Sequence, residues 1–302
     1  MQRHRRLMAI ALFVAVLVFP VSCKTSDDAR ALAGQMTATA SSLSDYYATL
    51  AQLADNHAKL ERLQQATLGV PFDPQDVAQL QDVQADLQKR SDMAHALADL
   101  AAAFSGLSGS SAPANVSASA ANLGASLSAI PQLPGSSYAP TALQGAGKII
   151  TQLIQERDER KMAKAIDPTM AAVSEMFSQE KPVYDSIDRT YIGLAQSIAL
   201  DLVNRNQVDP NSLMAPALKP FDLSSRVPTE QLSPGVADYA REQIKNRTAA
   251  EIAAHSQASD SLDAALKDVS KNTHALATEG HMAEPIFPIT LSKVESWIRL
   301  VM

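Results

Sequence analysis

Asp185 and Asp188 stand one helical turn apart between Tyr184 and Tyr191, and two carboxyls at that spacing can pair as general acid and base in a cleft. The same spacing describes the wet face of a helix whose dry face carries the tyrosines, and the sequence favours that plainer reading. Glu251 and His255 are also one turn apart, while Glu279, His281 and Glu284 gather near a helix end. Either set brings two side chains to a metal that wants four ligands, so the expectation is an exposed ion pair and a polar helix terminus. Tyr46 and Tyr47 can form a platform for a sugar or peptide, but they fall on an apolar stripe and are expected to pack. No GxSxG elbow, HExxH helix or glycine-rich phosphate loop occurs in the sequence. No catalytic, metal or cofactor-binding residue is therefore assigned, no cofactor is expected, and the chain is read as a non-enzyme.

One residue does carry chemistry. Cys23 is the single cysteine of 302 residues. Ahead of it come Arg3, His4, Arg5 and Arg6, then an uncharged run from Leu7 to Phe19, LMAIALFVAVLVF. A basic start followed by an apolar stretch has the make-up of a secretory signal peptide. Thirteen residues in helix reach about 20 Å, short of the roughly 30 Å hydrocarbon core of a bilayer. The segment Pro20-Val21-Ser22-Cys23 resembles the lipobox of bacterial lipoproteins, with Pro20 where that family usually carries Leu. The resemblance covers the first two dozen residues only. It implies cleavage after residue 22, lipid on Cys23, and, with Lys24 rather than Asp following, sorting to an outer membrane. More than one acyl chain suffices for stable attachment without a spanning helix. It also implies a bacterium, in which the glycan-acceptor patterns at Asn115-Val116-Ser117 and Asn246-Arg247-Thr248 are chance.

Without residues 1–22, which hold three arginines and no acid, the formal charge moves from −6 to −9. An acidic chain with no basic cluster is a poor partner for nucleic acid. Aromatic residues are only 5% of the sequence, and alanine, leucine, serine and glutamine abound, which favours packed helices over sheets.

These helices can be read from their periodicity. Thr25 and Asp28 form a capping pair for a first helix, on which Leu43, Tyr46, Tyr47, Leu50, Leu53, His57, Leu60 and Leu63 recur every three or four residues, to about Thr67. Asp73, Pro74 and Asp76 start a second, so close behind the first that the two must fold into an antiparallel hairpin. From Leu100 to Gly147 there is no Asp, Glu, Lys or Arg. One small-residue helix, at about Ala114 to Ile130, is expected there between two loops. Asp167 and Pro168 are expected to restart a helix, Pro182 to break or kink it, and Ser233 with Pro234 to cap a long helix ending near Gly280. Residues 205–232, with Pro210, Pro216, Pro220 and Pro228, read as a long loop. A short amphipathic helix with Val294, Trp297, Ile298 and Val301 closes the chain.

The expectation is an all-α protein: an elongated bundle of long antiparallel helices with helical hairpins, forming one domain over residues 23–302 behind a signal peptide over 1–22. The leading functional expectation is an envelope lipoprotein, bound to a membrane through Cys23, that presents helix faces or the 205–232 segment to another envelope protein. Two rivals remain open. One is a membrane-active protein that uses residues 100–147, resembling long-helix pore-forming toxins in layout alone. The other is a small-molecule binder with Tyr184, Asp185, Asp188 and Tyr191 at its pocket.

Overall fold

The structure, a computed structural model, describes residues 2–71, 74–106, 112–150, 159–209, 232–283 and 292–301, with side chains from Asp27 onward. Seven helices lie within these residues: α1 (Gln2–Leu68), α2 (Pro74–Ser105), α3 (Ala112–Ser128), α4 (Thr141–Ile150), α5 (Glu159–Asn204), α6 (Pro234–Glu279) and α7 (Ser292–Val301). The protein is an all-α bundle, and among the described residues there is no strand.

Two long hairpins make the frame. In the first, α1 and α2 run antiparallel and are pinned where Ser44 and Ser91 each donate to the other's backbone carbonyl at 3.0 Å. In the second, α5 and α6 run antiparallel, tied by Lys181 to Asp260, Ser178 to Asp263, and Arg160 to the Ala277 and Thr278 carbonyls. Helix α1 lies alongside both α5 and α6, while α3 and α4 bridge α2 to α5. The short α7 rests on α6 and α1. One apolar cluster runs through all seven helices, from Ala29 to Trp297, because each long helix turns its three-and-four stripe inward. The periodic stripe on α1 is buried from Leu43 to His57, with Leu43, Tyr46, Tyr47, Leu50 and Leu53 fully enclosed, but Leu60 is half-buried and Leu63 is exposed as the helix nears its end.

Local signals decide most ends. Pro74 opens α2 with Asp76 in its positive first turn. Ser233 and Pro234 open α6, although the Ser233 side chain makes no cap bond; its carbonyl accepts from the Val236 and Ala237 N–H groups. Gly280 closes α6 at φ 82°, donating its N–H to the Leu276 carbonyl.

Three expectations are corrected. Helix α1 does not begin at Thr25; it runs unbroken from Gln2, through an apolar stretch before Cys23 whose residue types are largely helix-compatible. Pro168 does not restart a helix, and of the break or kink expected at Pro182 the break does not occur, for both prolines lie inside α5. An interior proline costs about 3 kcal/mol, and here the stripe Ile166, Met170, Val173, Phe177 and Tyr184 is buried continuously across both, which offsets that cost. Asp167, instead of capping, receives the His274 ring N–H at 3.0 Å.

The uncharged stretch is packed. Its expected helix is α3, and Phe104, Val116, Leu123, Leu127, Tyr138 and Leu143 are buried. Small residues let the backbones of α3 and α4 close up: a Cβ on Gly147 would lie 3.0 Å from the Gly124 carbonyl oxygen and 3.3 Å from Leu127 Cβ. Residues 107–111 and most of the proline-rich segment, 210–231, lie outside the described residues.

Candidate functional site

Two polar clusters occupy the middle of the bundle, and both are built from charged or polar residues set into apolar stripes. Arg90 follows Leu87 and precedes Met93 on α2, and Glu180 falls between Phe177 and Tyr184 on α5, so each helix delivers its charge to the core. They meet as a bidentate ion pair, with Nε to Oε2 at 2.9 Å and Nη2 to Oε1 at 2.7 Å, both side chains fully buried. Arg90 also donates to the Pro131 and Asp86 carbonyls. The Tyr184 hydroxyl donates to Glu180 Oε2 at 2.5 Å and lies 3.2 Å from the Tyr47 hydroxyl. Both carboxylate oxygens and all three guanidinium nitrogens in this cluster are hydrogen-bonded, so it ties α2 to α5 in register.

The second cluster is different. Tyr46 on α1 hydrogen-bonds His255 Nε2 on α6 at 2.9 Å, and the two rings stack with centroids 5.7 Å apart. On the other side of the imidazole, Nδ1 is 3.4 Å from Asp185 Oδ1 and 3.7 Å from Asp188 Oδ2. Trp297 of α7 covers both aromatic rings, with centroids 5.1 Å from Tyr46 and 4.9 Å from His255. Burial pushes the Asp188 carboxyl up to about 7, helped by the charges of Glu251 and Asp185. Burial draws His255 down to about 4, with Arg189 and Lys181 adding to the effect. The Trp297 N–H neighbours Asp188 and opposes the Asp188 shift, yet neither Trp297 Nε1 nor Asp188 Oδ2 has a hydrogen-bond partner of normal geometry. Near neutrality this is a neutral imidazole beside a carboxyl poised between its two states.

This arrangement overturns two expectations. Asp188 is not on a wet face: α5 is clasped by α6 and α1 along its length, so the residue one turn beyond Tyr184 is only 2% exposed, while Asp185 remains half-buried at the edge. Glu251 and His255 are not an exposed pair, since α6 turns this face to α1 and α5; His255 is enclosed, and the partner of Glu251 is Arg247, at 3.0 Å. The fold brings together Asp185, Asp188 and His255, which the sequence reading held apart. It sends Tyr184 to the other cluster, with Tyr47. His281 sits 3.5 Å from Glu279 at the exposed end of α6, as expected of a polar terminus, and Glu284 lies outside the described residues. Among the described residues no group of three potential ligands is placed to hold a metal ion.

Arg90, Glu180 and Trp297 were not singled out as site residues. A charge at a stripe position is the signal that finds the first two; for Trp297, the only tryptophan, its place on the apolar face of the last helix is the signal.

Cys23 lies within α1, six residues before Ala29, the first buried side chain of the core. Among the described residues no helix is long and apolar enough to cross a membrane. Comparison with family models, with curated proteins and with solved structures gave no match for this chain.

Proposed function

We propose that this chain is a bacterial envelope lipoprotein, attached to a membrane through lipid on Cys23, that works as a non-enzymatic helical scaffold for another envelope protein. The observation that carries the reading is the continuity of α1. Between Cys23 and the first core residue, Ala29, the helix is unbroken and rises only about 9 Å. An anchor there stands the bundle directly on the bilayer with no slack tether. From Cys23 to Leu68 the same helix rises about 65 Å, and α5 runs parallel to it, so both long hairpins turn at the end away from the lipid. The saturated Arg90–Glu180 cluster supports a rigid spacer, because it ties α2 to α5 in one register.

Two readouts test the attachment. Cells expressing the wild-type chain should incorporate labelled palmitate into it and retain it in the membrane fraction, and Cys23→Ala should lose both. Palmitate incorporation that survives Cys23→Ala, or none in the wild type, would overturn the reading.

A further inference from the structure

Helix α7 is ten residues long and buries only Val294 and Trp297. Its hold on the bundle centres on one indole, fully enclosed against Tyr46 and His255, with Val294 buried beside it and Ile298 and Val301 packed at the edge of the core. The aromatic half of this seat fits well. The polar half fits less well: Asp188 Oδ2 and Trp297 Nε1 are both buried and neighbour each other, yet neither makes a hydrogen bond of normal geometry, and His255 Nδ1 lies 3.7 Å from Asp188 Oδ2. Nor does α7 fill its trough. A groove of about 330 Å³ runs along one flank, between α1 and α7, lined by Asp45, Thr49, Glu295 and Arg299 among others. On the other flank, one of about 270 Å³ between α5, α6 and α7 is lined by Tyr191, Glu251, Leu300 and Val301.

We propose that the seat beneath Trp297 is a binding site for a small planar aromatic cation, with α7 as its displaceable lid. This site is independent of the anchor at Cys23. The rings of Tyr46 and His255 receive the ligand's aromatic plane, as they receive the indole when the lid is down. Asp188 and Asp185, both within 4 Å of His255 Nδ1, receive the cationic N–H groups. A fork of N–H donors makes the paired, charge-assisted bonds to carboxylate oxygen that a single indole N–H leaves unmade. The charges around the seat leave this role open. Lys181 is engaged by Asp260 and Arg247 by Glu251, while Arg189 is exposed. Trp297 is thus a stand-in that matches the aromatic requirement and misses the charged one.

Because the chain has one tryptophan, its fluorescence reports the lid directly. The full-length chain is titrated with benzamidine, with benzamide, which keeps the ring without the charge, and with acetamidine, which keeps the charge without the ring. Benzamidine should shift Trp297 emission to longer wavelength in a saturable way. Benzamide should bind about tenfold to a hundredfold more weakly, the worth of one charge-assisted hydrogen bond, and acetamidine should leave the emission unmoved. Asp188→Asn should weaken benzamidine by a similar factor. If that variant does not fold, the comparison of the three probes on the unsubstituted chain decides alone. No shift with benzamidine, or an equal shift with benzamide or acetamidine, would overturn the proposal.

Discussion

Asp188 and His255 are displaced from their ordinary values in opposite senses, and that opposition has a measurable consequence. The folded Asp188 carboxyl keeps its proton to about 7, against an ordinary 3.8, so folding takes up a proton between those values and stability falls as pH rises through that window. Asp185, raised by burial in the same direction, adds to this arm. Folded His255 gives up its proton down to about 4, against an ordinary 6.5, so folding releases a proton there and stability rises with pH over 4 to 6.5. Over their shared range the two effects oppose each other. Wild-type stability, followed by denaturant unfolding, should be nearly level between pH 4 and 6.5. In Asp188→Asn the histidine arm is unmasked, and stability should climb with pH by about 1.4 kcal/mol per unit at most. His255→Gln should slope the other way. Identical slopes in all three chains would show that the two groups do not form a coupled, enclosed pair. Tyr46, Asp185, Asp188 and His255 could each be read from the sequence as candidates, but not their meeting, nor the place of Trp297 over them. Asp188 and Glu251 carry the spacing of ordinary solvated helix faces, and only the packing of α5 between α1 and α6 buries them.

At the scale of elements, small residues and prolines do different work from what composition alone suggests. Gly147 is needed where α4 meets α3, because a larger side chain would press on the Gly124 carbonyl, which is backbone and cannot turn aside. Gly145, two residues earlier on the same helix, has open space around it. Gly147→Leu should lower stability by about 1–3 kcal/mol through overpacking, whereas Gly145→Ala should raise it by about 0.5–1 kcal/mol through helix propensity. Thermal melts of the two variants check the contrast, and equal effects would mean that α3 and α4 are not in close contact. Much of this level was legible in advance. The α1 stripe through Leu43, Tyr46 and Leu50, the Pro74 and Pro234 starts, and the Gly280 stop all follow from local rules and appear in the fold. The failures at Pro168 and Pro182 have one cause. A local rule weighs the missing N–H, while a continuous buried stripe across both prolines outweighs it, and that burial depends on α6 and α1, which no window of sequence contains.

On the proposed reading, the whole molecule joins an anchor at Cys23 to a long frame. Helix α1 passes from Cys23 into the core without a break, the α1–α2 and α5–α6 hairpins extend from that end, and the charged interior holds them in register. The all-α class and the α1–α2 hairpin were readable because helix periodicity and one short connection determine them; the α5–α6 pairing was not, since the 205–233 connection is too long to dictate it. What the frame touches was not, since a partner is chosen by the outer faces, whose polar residues satisfy any solvated helix equally well. The central claim is that the anchored bundle serves as a scaffold for an envelope protein. It is tested most directly by chemical crosslinking in intact cells, with mass spectrometry of the products, on the wild type and on Cys23→Ala. The account predicts one abundant envelope protein joined to the wild type, with crosslinks toward the hairpin turns, and loss of that product in Cys23→Ala. Recovery of the chain alone, or a product that persists unchanged without Cys23, would contradict it.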